Sequence, residues 1–382
     1  MMNKKIKKGS KFIPVFEPYI SFRDKFEVLK AINNKNISGS SELIDEFESG
    51  LCETFSVKHA ITVSNGSVAL DLALQLLNLN EEDEVILPSF TIISCLAAVV
   101  RAGGTPKFCD VDKDSWNMTL DNVKSVVSTK TKAILMVHTY GLTAEADKIK
   151  EFANSEGITL VEDVAEAHGQ SLNKKLCGTF GDLATLSFYA NKHITTGEGG
   201  AVLTNSTEFA NVAKKMKNLD FDPKRRFQHD NLYWNYRMGS LQAALGISQT
   251  KSLRKTISKK IEQGEIYNKL LSENSNIQLP LNEWLGSKNH YWVYGIVVKN
   301  RSRDKLQTFL LERNIQTRRF FWPLHLQKAL PDKFRNSSNI LPQSEMLGSS
   351  GLYLPMGSHI NFSDQKYIAE SVYNFLDTEV SE

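Results

Sequence analysis

Cysteine is scarce in this sequence, and the few cysteines present form no recognisable pattern. The chain has four cysteines among 382 residues, widely separated and without a CxxC pair. A disulfide framework and a zinc site both need cysteines at close, regular spacing, so neither is expected and no metal site is predicted. Free thiols are the usual state in a reducing compartment, and we therefore expect a cytoplasmic protein.

Long apolar runs and a strong charge of one sign are also missing. The longest apolar run, from about Ile92 to Val100, is too short and too interrupted to cross a bilayer. A net charge of +3 gives no electrostatic case for nucleic acid. Residues 1–11 are basic but lack the apolar segment of a secretory signal, and we interpret them as a solvated tail. Membrane and nucleic-acid partners are therefore not expected.

The length of the chain is sufficient for two or three domains. From residue 12 to 253, strand-like runs such as EVILPSF and ITLVED alternate with helix-like segments. This alternation predicts an α/β domain with a mostly parallel sheet covered by helices on both faces. From residue 254 to 382, a long amphipathic helix precedes the strand-like run HYWVYGIVV and further short elements, which predicts a smaller α+β domain.

Three segments of the first domain carry side chains of chemical interest. SNGS, residues 64–67, places Gly66 and Ser67 at a helix start, where anions bind. LVEDVAEAHG places Asp163 at the carboxyl end of a strand, where α/β folds bind ligands. LSFYANKHITTGEGG places Lys192 in a glycine-rich turn after a strand. Each also has a plainer interpretation: a helix cap at 64–67, a second cap at Asp163, and a solvated lysine on a surface hairpin.

Together the three segments predict a site for pyridoxal 5′-phosphate (PLP). PLP chemistry needs an amine to form a Schiff base and a carboxylate to keep the pyridine nitrogen protonated. It also needs an anion site for the phosphate group. A lysine in a turn, an aspartate at a strand end and a helix N-terminus would supply all three.

The chain resembles the DegT/DnrJ/EryC1/StrS sugar aminotransferases, a branch of the aspartate-aminotransferase fold type (PLP fold type I). The resemblance runs from about Pro14 to the C-terminus and implies a large PLP-binding domain and a small C-terminal domain. It rests on seven segments in the order of the family: ISGSSELIDEFE, VSNGSVALDLAL, DEVILPSFT, LVEDVAEAHG, GTFGDLATLSFYANKHITTGEGG, WNYRMGSLQAALG and TRRFFWPLH.

The resemblance implies a role for each matching residue. Lys192 would hold PLP and move the proton during transamination, as the cofactor alternates with its pyridoxamine 5′-phosphate form. Asp163 would pair with the pyridine nitrogen, and Glu166 would lie near the ring hydroxyl. The phosphate group would be bound by four residues, the last of them from the neighbouring subunit of a homodimer: Gly66, Ser67, Ser187 and Asn235.

Candidates for substrate binding lie further along the chain. His325, in WPLH, matches a position that lines the substrate pocket of the family, and Arg318 belongs to the same matching segment. Arg225 and Arg226 lie in the basic segment PKRRFQHD. Because arginine suits bidentate phosphate recognition, we hypothesise that one of them meets the pyrophosphate of a nucleotide sugar. A solvated group of charges is an equal alternative.

The expected reaction depends on the register around Lys192. Some relatives carry histidine at the Schiff-base position and act as sugar 3-dehydratases. Counted from Ser187, that position falls on Lys192, and His193 is one step beyond, which favours an aminotransferase. The TTGEGG ending is similar to that of enzymes that aminate a 4-keto sugar. We therefore expect transfer of the amino group of L-glutamate to C4 of a nucleotide-linked 4-keto-6-deoxy sugar. A 3-aminotransferase, a PLP-dependent dehydratase and a non-catalytic sugar-sensing relative remain alternatives.

One position departs from the family pattern. Members usually have an aromatic residue over the cofactor ring four positions after the proline of the PSFT-like segment, and here that position is Ile92. Phe90 or another ring is the expected substitute.

Overall fold

The computed structural model of the protein describes residues 11–222, 224–299, 302–335 and 340–378. The predicted tail lies outside this part except for Lys11. Within it, the helices are α1 (Phe22–Asn33), α2 (Glu42–Phe55), α3 (Gly66–Gln75), α4 (Ile93–Arg101), α5 (Leu120–Lys124), α6 (Ala146–Glu156), α7 (Thr207–Met216), α8 (Ser240–Lys251), α9 (Leu253–Leu271), α10 (Arg303–Leu311), α11 (Pro342–Ser350) and α12 (Phe362–Thr378).

The strands of the same part are β1 (His59–Val63), β2 (Glu84–Pro88), β3 (Thr105–Cys109), β4 (Thr131–Val137), β5 (Thr159–Asp163), β6 (Ser171–Leu172), β7 (Lys175–Leu176), β8 (Leu183–Ser187), β9 (Gly200–Thr204), β10 (Ile277–Gln278), β11 (Glu283–Trp284), β12 (Ser287–Lys288), β13 (Tyr294–Val298), β14 (Arg318–Arg319) and β15 (Gly351–Leu354). Short 3₁₀ turns occur at Thr139–Gly141, Leu324–Leu326 and Asp332–Phe334.

The large sheet has the strand order β1-β9-β8-β5-β4-β2-β3. Strand β9 runs antiparallel to β1 and β8, whereas the other neighbouring strands pair in parallel. The expected α/β class with a mostly parallel sheet is therefore confirmed. The predicted strands EVILPSF and ITLVED correspond to β2 and β5.

Helices cover both faces of this sheet. Successive side chains of a strand point to opposite faces, so each buried strand contributes to two apolar layers. Along β4, Leu135 and Val137 pack in a cluster with α3 and α4, whereas Ile134 and Met136 pack in another cluster with α6. The near-continuous apolar runs of the sequence reflect this burial on both faces.

The second sheet is antiparallel, with the order β10-β13-β15-β14. Its apolar side chains form a cluster with residues of α9, α10 and α12. The start of the described chain also joins this region, since Ile13 pairs with Ile315 and the Met356 N–H donates to the Val15 carbonyl (3.2 Å). The division into residues 12–253 and 254–382 stays a prediction.

None of the helices in the described ranges has both the length and the apolar character needed to span a bilayer.

Candidate active site

All of the predicted cofactor residues except Asn235 meet at one edge of the large sheet. Strands β1, β5 and β8 run in the same direction, so their carboxyl ends lie at the same edge. Asp163 is the last residue of β5 and Ser187 is the last residue of β8, while Gly66 opens α3 shortly after β1 ends. The connection between β8 and β9, which contains Lys192, leaves from this edge as well.

Lys192 is buried rather than solvated, with its side chain 9% exposed. Its Nζ lies 3.8 Å from Glu166 Oε1 and 3.6 Å from the centre of the Trp292 ring. Burial lowers the pKa of Lys192, while the nearby carboxylates of Glu166 and Asp163 oppose this shift. The lowered pKa favours a neutral amine, which is the nucleophilic form.

His193, the next residue, contacts a distant part of the chain. It is buried, and its Nε2 lies 3.1 Å from the His290 carbonyl. Lys192 borders two described cavities: His193 also lines the smaller one, of about 190 Å³, but it is not among the described residues that line the larger one, of about 610 Å³. Of these two residues, only Lys192 reaches the larger cavity, and the register assigned from the sequence stays a prediction.

Two carboxylates lie beside Lys192. The Asp163 side chain accepts hydrogen bonds from the Ala165 N–H (3.0 Å) and from the Cys95 thiol (3.5 Å), and burial raises its pKa. Glu166 accepts from the Tyr140 N–H (3.0 Å). Burial raises the pKa of Glu166 to about 7, although Lys192 acts in the opposite direction. The site thus holds one amine and two acids in a poorly solvated space, which is typical of catalytic centres.

The N-terminus of α3 is the predicted anion site, and its binding of a phosphate group stays a prediction. Asn65 caps the helix, because its side chain accepts a hydrogen bond from the Val68 N–H (2.9 Å). The N–H groups of Gly66 and Ser67 belong to the two residues that precede Val68 in the first turn. The first N–H groups of a helix have no intrahelical partner and carry the positive end of its dipole. A Cβ at Gly66 would lie 2.5 Å from Ser187 Cβ, so glycine allows the turn to approach Ser187. Ser67 Oγ lies 2.7 Å from Ser94 Oγ.

A cavity of about 610 Å³ joins these groups. Four aromatic side chains line the cavity: Tyr189, Trp292, Phe321 and Tyr353. The described lining also includes most of the predicted site residues: Gly66, Ser67, Asp163, Glu166, Ser187, Lys192 and Arg318. Ile92 lies in the wall with 40% of its surface exposed. Phe90 is fully buried against Tyr140, Phe320 and Phe321 and is not among the described lining residues, so the expected substitution by Phe90 is not seen.

Four predicted site residues lie elsewhere in this chain. Asn235 is exposed and pairs with Asn218. Arg225 forms an exposed ion pair with Asp230 (2.9 Å), and Arg226 lies near the ring of Phe227. The His325 side chain is 5% exposed, with Nδ1 2.6 Å from Ser89 Oγ and Nε2 3.2 Å from Glu345 Oε1. None of the four is among the described residues that line the 610 Å³ cavity.

Two residues near the reactive groups were missed by the sequence analysis. Trp292 lies under Lys192, yet its segment HYWVYGIVV predicted only a strand. Cys95 contacts Asp163, yet the sequence analysis noted its segment only as an apolar run. Both contacts join residues far apart in the chain, so no local pattern could have shown them.

The fold and this site define a PLP-dependent enzyme of the aspartate-aminotransferase fold type. The arrangement of the amine, the carboxylate and the helix N-terminus fits the cofactor, because it provides one partner each for the aldehyde, the ring nitrogen and the phosphate.

The chain belongs to the DegT/DnrJ/EryC1/StrS aminotransferase family, which matches residues 19–373. It is 36% identical over 366 residues to a GDP-perosamine synthase of Escherichia coli O157:H7, covering 96% of this chain and 99% of that protein. It is 34% identical over 372 residues to a GDP-perosamine synthase of Vibrio cholerae, with coverage of 96% and 99%. Among solved structures, the aminotransferase TlmJ from Streptoalloteichus hindustanus superposes with a TM-score of 0.91 at 27% identity, covering 96% of this chain and 100% of that one.

Proposed function

We propose that this enzyme transfers the amino group of L-glutamate to C4 of a nucleotide-linked 4-keto-6-deoxy sugar, of the kind that turns GDP-4-keto-6-deoxymannose into GDP-perosamine. The observation that carries the proposal is the buried amine of Lys192 in the cavity, at the position where a sugar dehydratase would have histidine. The similarity to two GDP-perosamine synthases over nearly their full length supports the choice of sugar and of carbon.

The residues at the centre of the cavity would handle the proton and the ring charge. PLP, when bound, takes up an amino group and withdraws electrons from the reacting carbon. Lys192 would hold the cofactor at its Nζ and carry a proton to and from that carbon, because its lowered pKa keeps the amine available as a base. Asp163 would keep the pyridine nitrogen charged, and Glu166 would approach the ring hydroxyl.

The phosphate group would lie at the start of α3. Gly66 and Ser67 offer N–H groups there, and Ser67 and Ser187 add hydroxyl groups from the same edge of the sheet. This arrangement would fix the ring between Asp163 and Lys192. The Ile92 side chain would contact the ring without stacking on it, since it lies in the cavity wall.

The substrate would enter past Arg318, which is exposed in β14 and lines the cavity. We propose that Arg318 meets the diphosphate of the nucleotide sugar. His325 would reach the sugar only if it left Ser89 and Glu345, so its proposed role depends on movement of the WPLH segment.

The remaining proposed ligands would come from the second subunit of a homodimer. Asn235, Arg225 and Arg226 all belong to one exposed segment, which also carries Leu232 (96% exposed) and Phe227. On α1, Phe22, Phe26 and Leu29 are likewise exposed and recur at helical spacing. Large apolar side chains grouped on a surface usually mark a contact with another protein. We propose that a second copy covers both regions and receives Asn235 at its own phosphate site.

We further propose that the enzyme acts in the cytoplasm and that its amino sugar serves lipopolysaccharide O-antigen synthesis. All four cysteines are free thiols, which supports a reducing compartment.

The proposal is tested by incubating the enzyme with L-glutamate and a panel of GDP-, UDP- and dTDP-linked 4-keto-6-deoxy sugars. Mass spectrometry detects the product, and NMR locates the new nitrogen. With the wild-type enzyme we expect nitrogen at C4 of the GDP sugar. Lys192→Ala should not form this product. Lys174→Ala, which changes an exposed lysine, should form it as the wild type does. Nitrogen at C3 would indicate a 3-aminotransferase, and a deoxygenated sugar would indicate a dehydratase. PLP binding without turnover of any sugar would favour a sensing role.

A further inference from the structure

Cys95 lies directly behind the carboxylate that is proposed to face the pyridine nitrogen. It belongs to α4 and is fully buried. Its thiol donates to Asp163 Oδ2 at a sulfur–oxygen distance of 3.5 Å. Thr91 Oγ1 lies 3.7 Å from the same sulfur. Since the thiol hydrogen is directed to Asp163, the Thr91 hydroxyl is the donor in the second contact, and the three side chains form a buried chain of hydrogen bonds.

These contacts restrict how Asp163 can turn. Oδ1 accepts from the Ala165 N–H (3.0 Å) and Oδ2 accepts from Cys95, so each oxygen has one partner from the protein. Rotation of the carboxylate would break at least one of these bonds in a buried place, where lost hydrogen bonds are costly. Asp163 also lines the 610 Å³ cavity, so its orientation decides what it offers to a bound ring.

The thiol is suited to remain a donor. Burial, together with the nearby charge of Asp163, raises the pKa of Cys95 well above its usual range, so the sulfur stays protonated. Among the described groups that act on it, Glu166 works in the same direction and the Thr91 hydroxyl opposes it. A thiolate would instead repel the carboxylate.

We propose that Cys95 is a positioning residue, whose thiol holds Asp163 in the orientation that pairs with the pyridine nitrogen of PLP. This inference rests on the role of Asp163 in the proposed function. The simpler alternative is that Cys95 only fills space in the core as a small apolar side chain. The two differ in whether the hydrogen-bond donor matters.

The test compares PLP dissociation constants, measured by absorbance titration of the apo-protein. Cys95→Ala should weaken PLP binding about tenfold, because Asp163 loses a buried hydrogen bond to a charged group. Cys95→Ser keeps a donor and should bind within about threefold of the wild type. Cys109→Ala is the matched control, since Cys109 is an equally buried cysteine in β3. It should leave PLP affinity unchanged, whatever its effect on the unfolding temperature.

The proposal is overturned if Cys95→Ala binds PLP like the wild type, or if Cys95→Ser binds as weakly as Cys95→Ala. Should Cys95→Ala not fold, Cys95→Val fills the space without a donor and carries the same expectation. The wild type gives an independent measurement. Its infrared S–H stretching band, assigned by difference from Cys95→Ser, should lie below that of a free thiol because the thiol donates to Asp163, and a band at the free-thiol position would contradict the contact.

These measurements need PLP but no sugar. A wild-type enzyme that binds PLP and aminates none of the sugars would overturn the proposed function and leave the role of Cys95 open to the same test. If Asp163→Asn binds PLP like the wild type, the role of Asp163 itself is wrong and the inference about Cys95 fails with it.

Discussion

The edge of the large sheet and the exposed segment that contains residues 224–237 both hold predicted site residues, but in opposite environments. At the sheet edge, the side chains of Lys192, Asp163 and Glu166 are largely buried, and burial shifts the pKa of each. Lys192 Nζ lies 3.8 Å from Glu166 Oε1. In the segment, Arg225 and Asn235 are exposed and do not line the 610 Å³ cavity. The difference teaches that a single chain brings together the residues proposed to bind the cofactor ring. The proposed ligands Asn235, Arg225 and Arg226 would need a second chain whose cavity they could reach.

The largest expected effect is at the chemical centre. Lys192→Ala should lower kcat by at least about 1000-fold, because it removes both the cofactor attachment and the proton carrier. The absorbance of the bound cofactor should change with it. Steady-state amination of the GDP sugar measures the loss, with Lys174→Ala as the control. Residual activity within tenfold of the wild type would remove Lys192 from the mechanism.

The exposed segment is tested by mixing inactive subunits. If Asn235 serves the partner's cavity, co-expressed Lys192→Ala and Asn235→Ala chains should recover about a quarter of the wild-type activity, since half of the dimers are mixed and each has one intact site. Two different affinity tags allow the mixed dimers to be isolated.

The same mixture decides the alternative. If Asn235 served its own chain, both sites of a mixed dimer would be defective and no activity would be recovered. Gln228→Ala, a change of another exposed residue in the segment, should behave like the wild type in the mixture.

A smaller effect is expected for the two arginines of this segment. Replacing Arg225 and Arg226 together with Ala should raise KM for the nucleotide sugar about tenfold with little change in kcat, if they only bind the diphosphate. Lys214→Ala with Lys215→Ala removes the same charge from the exposed face of α7 and is the control. An unchanged KM would rule out contact with the substrate.

The smallest effect concerns the stability of the apo-protein. The pKa of Glu166 is raised by burial from 4.5 to about 7, so its contribution to stability is complete below pH 4.5 and is lost as the pH rises through 7. This loss should amount to roughly 1–3 kcal/mol in the free energy of unfolding. Denaturant unfolding of the wild type and of Glu166→Gln between pH 4.5 and 8 measures it. Identical pH dependence in the two proteins would contradict the raised pKa.

Much of the fold and part of the site could be predicted from the sequence. The alternation of strand-like and helix-like segments was sufficient for the α/β class, and the position of Asp163 at a strand end follows directly from its place after an apolar run. The environment of Lys192 could not be predicted from its own segment. A lysine in a hairpin between two antiparallel strands is normally solvated, and its burial here depends on Trp292, which lies a hundred residues further on.

The remaining gaps have the same physical origin. Contacts such as Cys95 with Asp163, or His325 with Ser89, depend on how distant segments pack, and one sequence carries no sign of them. Of the rings expected to substitute at Ile92, Phe90 does not reach the cavity, because it packs in the core against Tyr140, Phe320 and Phe321.

Reduction of the PLP-loaded enzyme with borohydride, followed by digestion and mass spectrometry, tests the central claim most directly. The account predicts a phosphopyridoxyl group on the Nζ of Lys192, in the peptide that follows Ser187. Label on another lysine, or no label on an enzyme that has bound PLP, would contradict it.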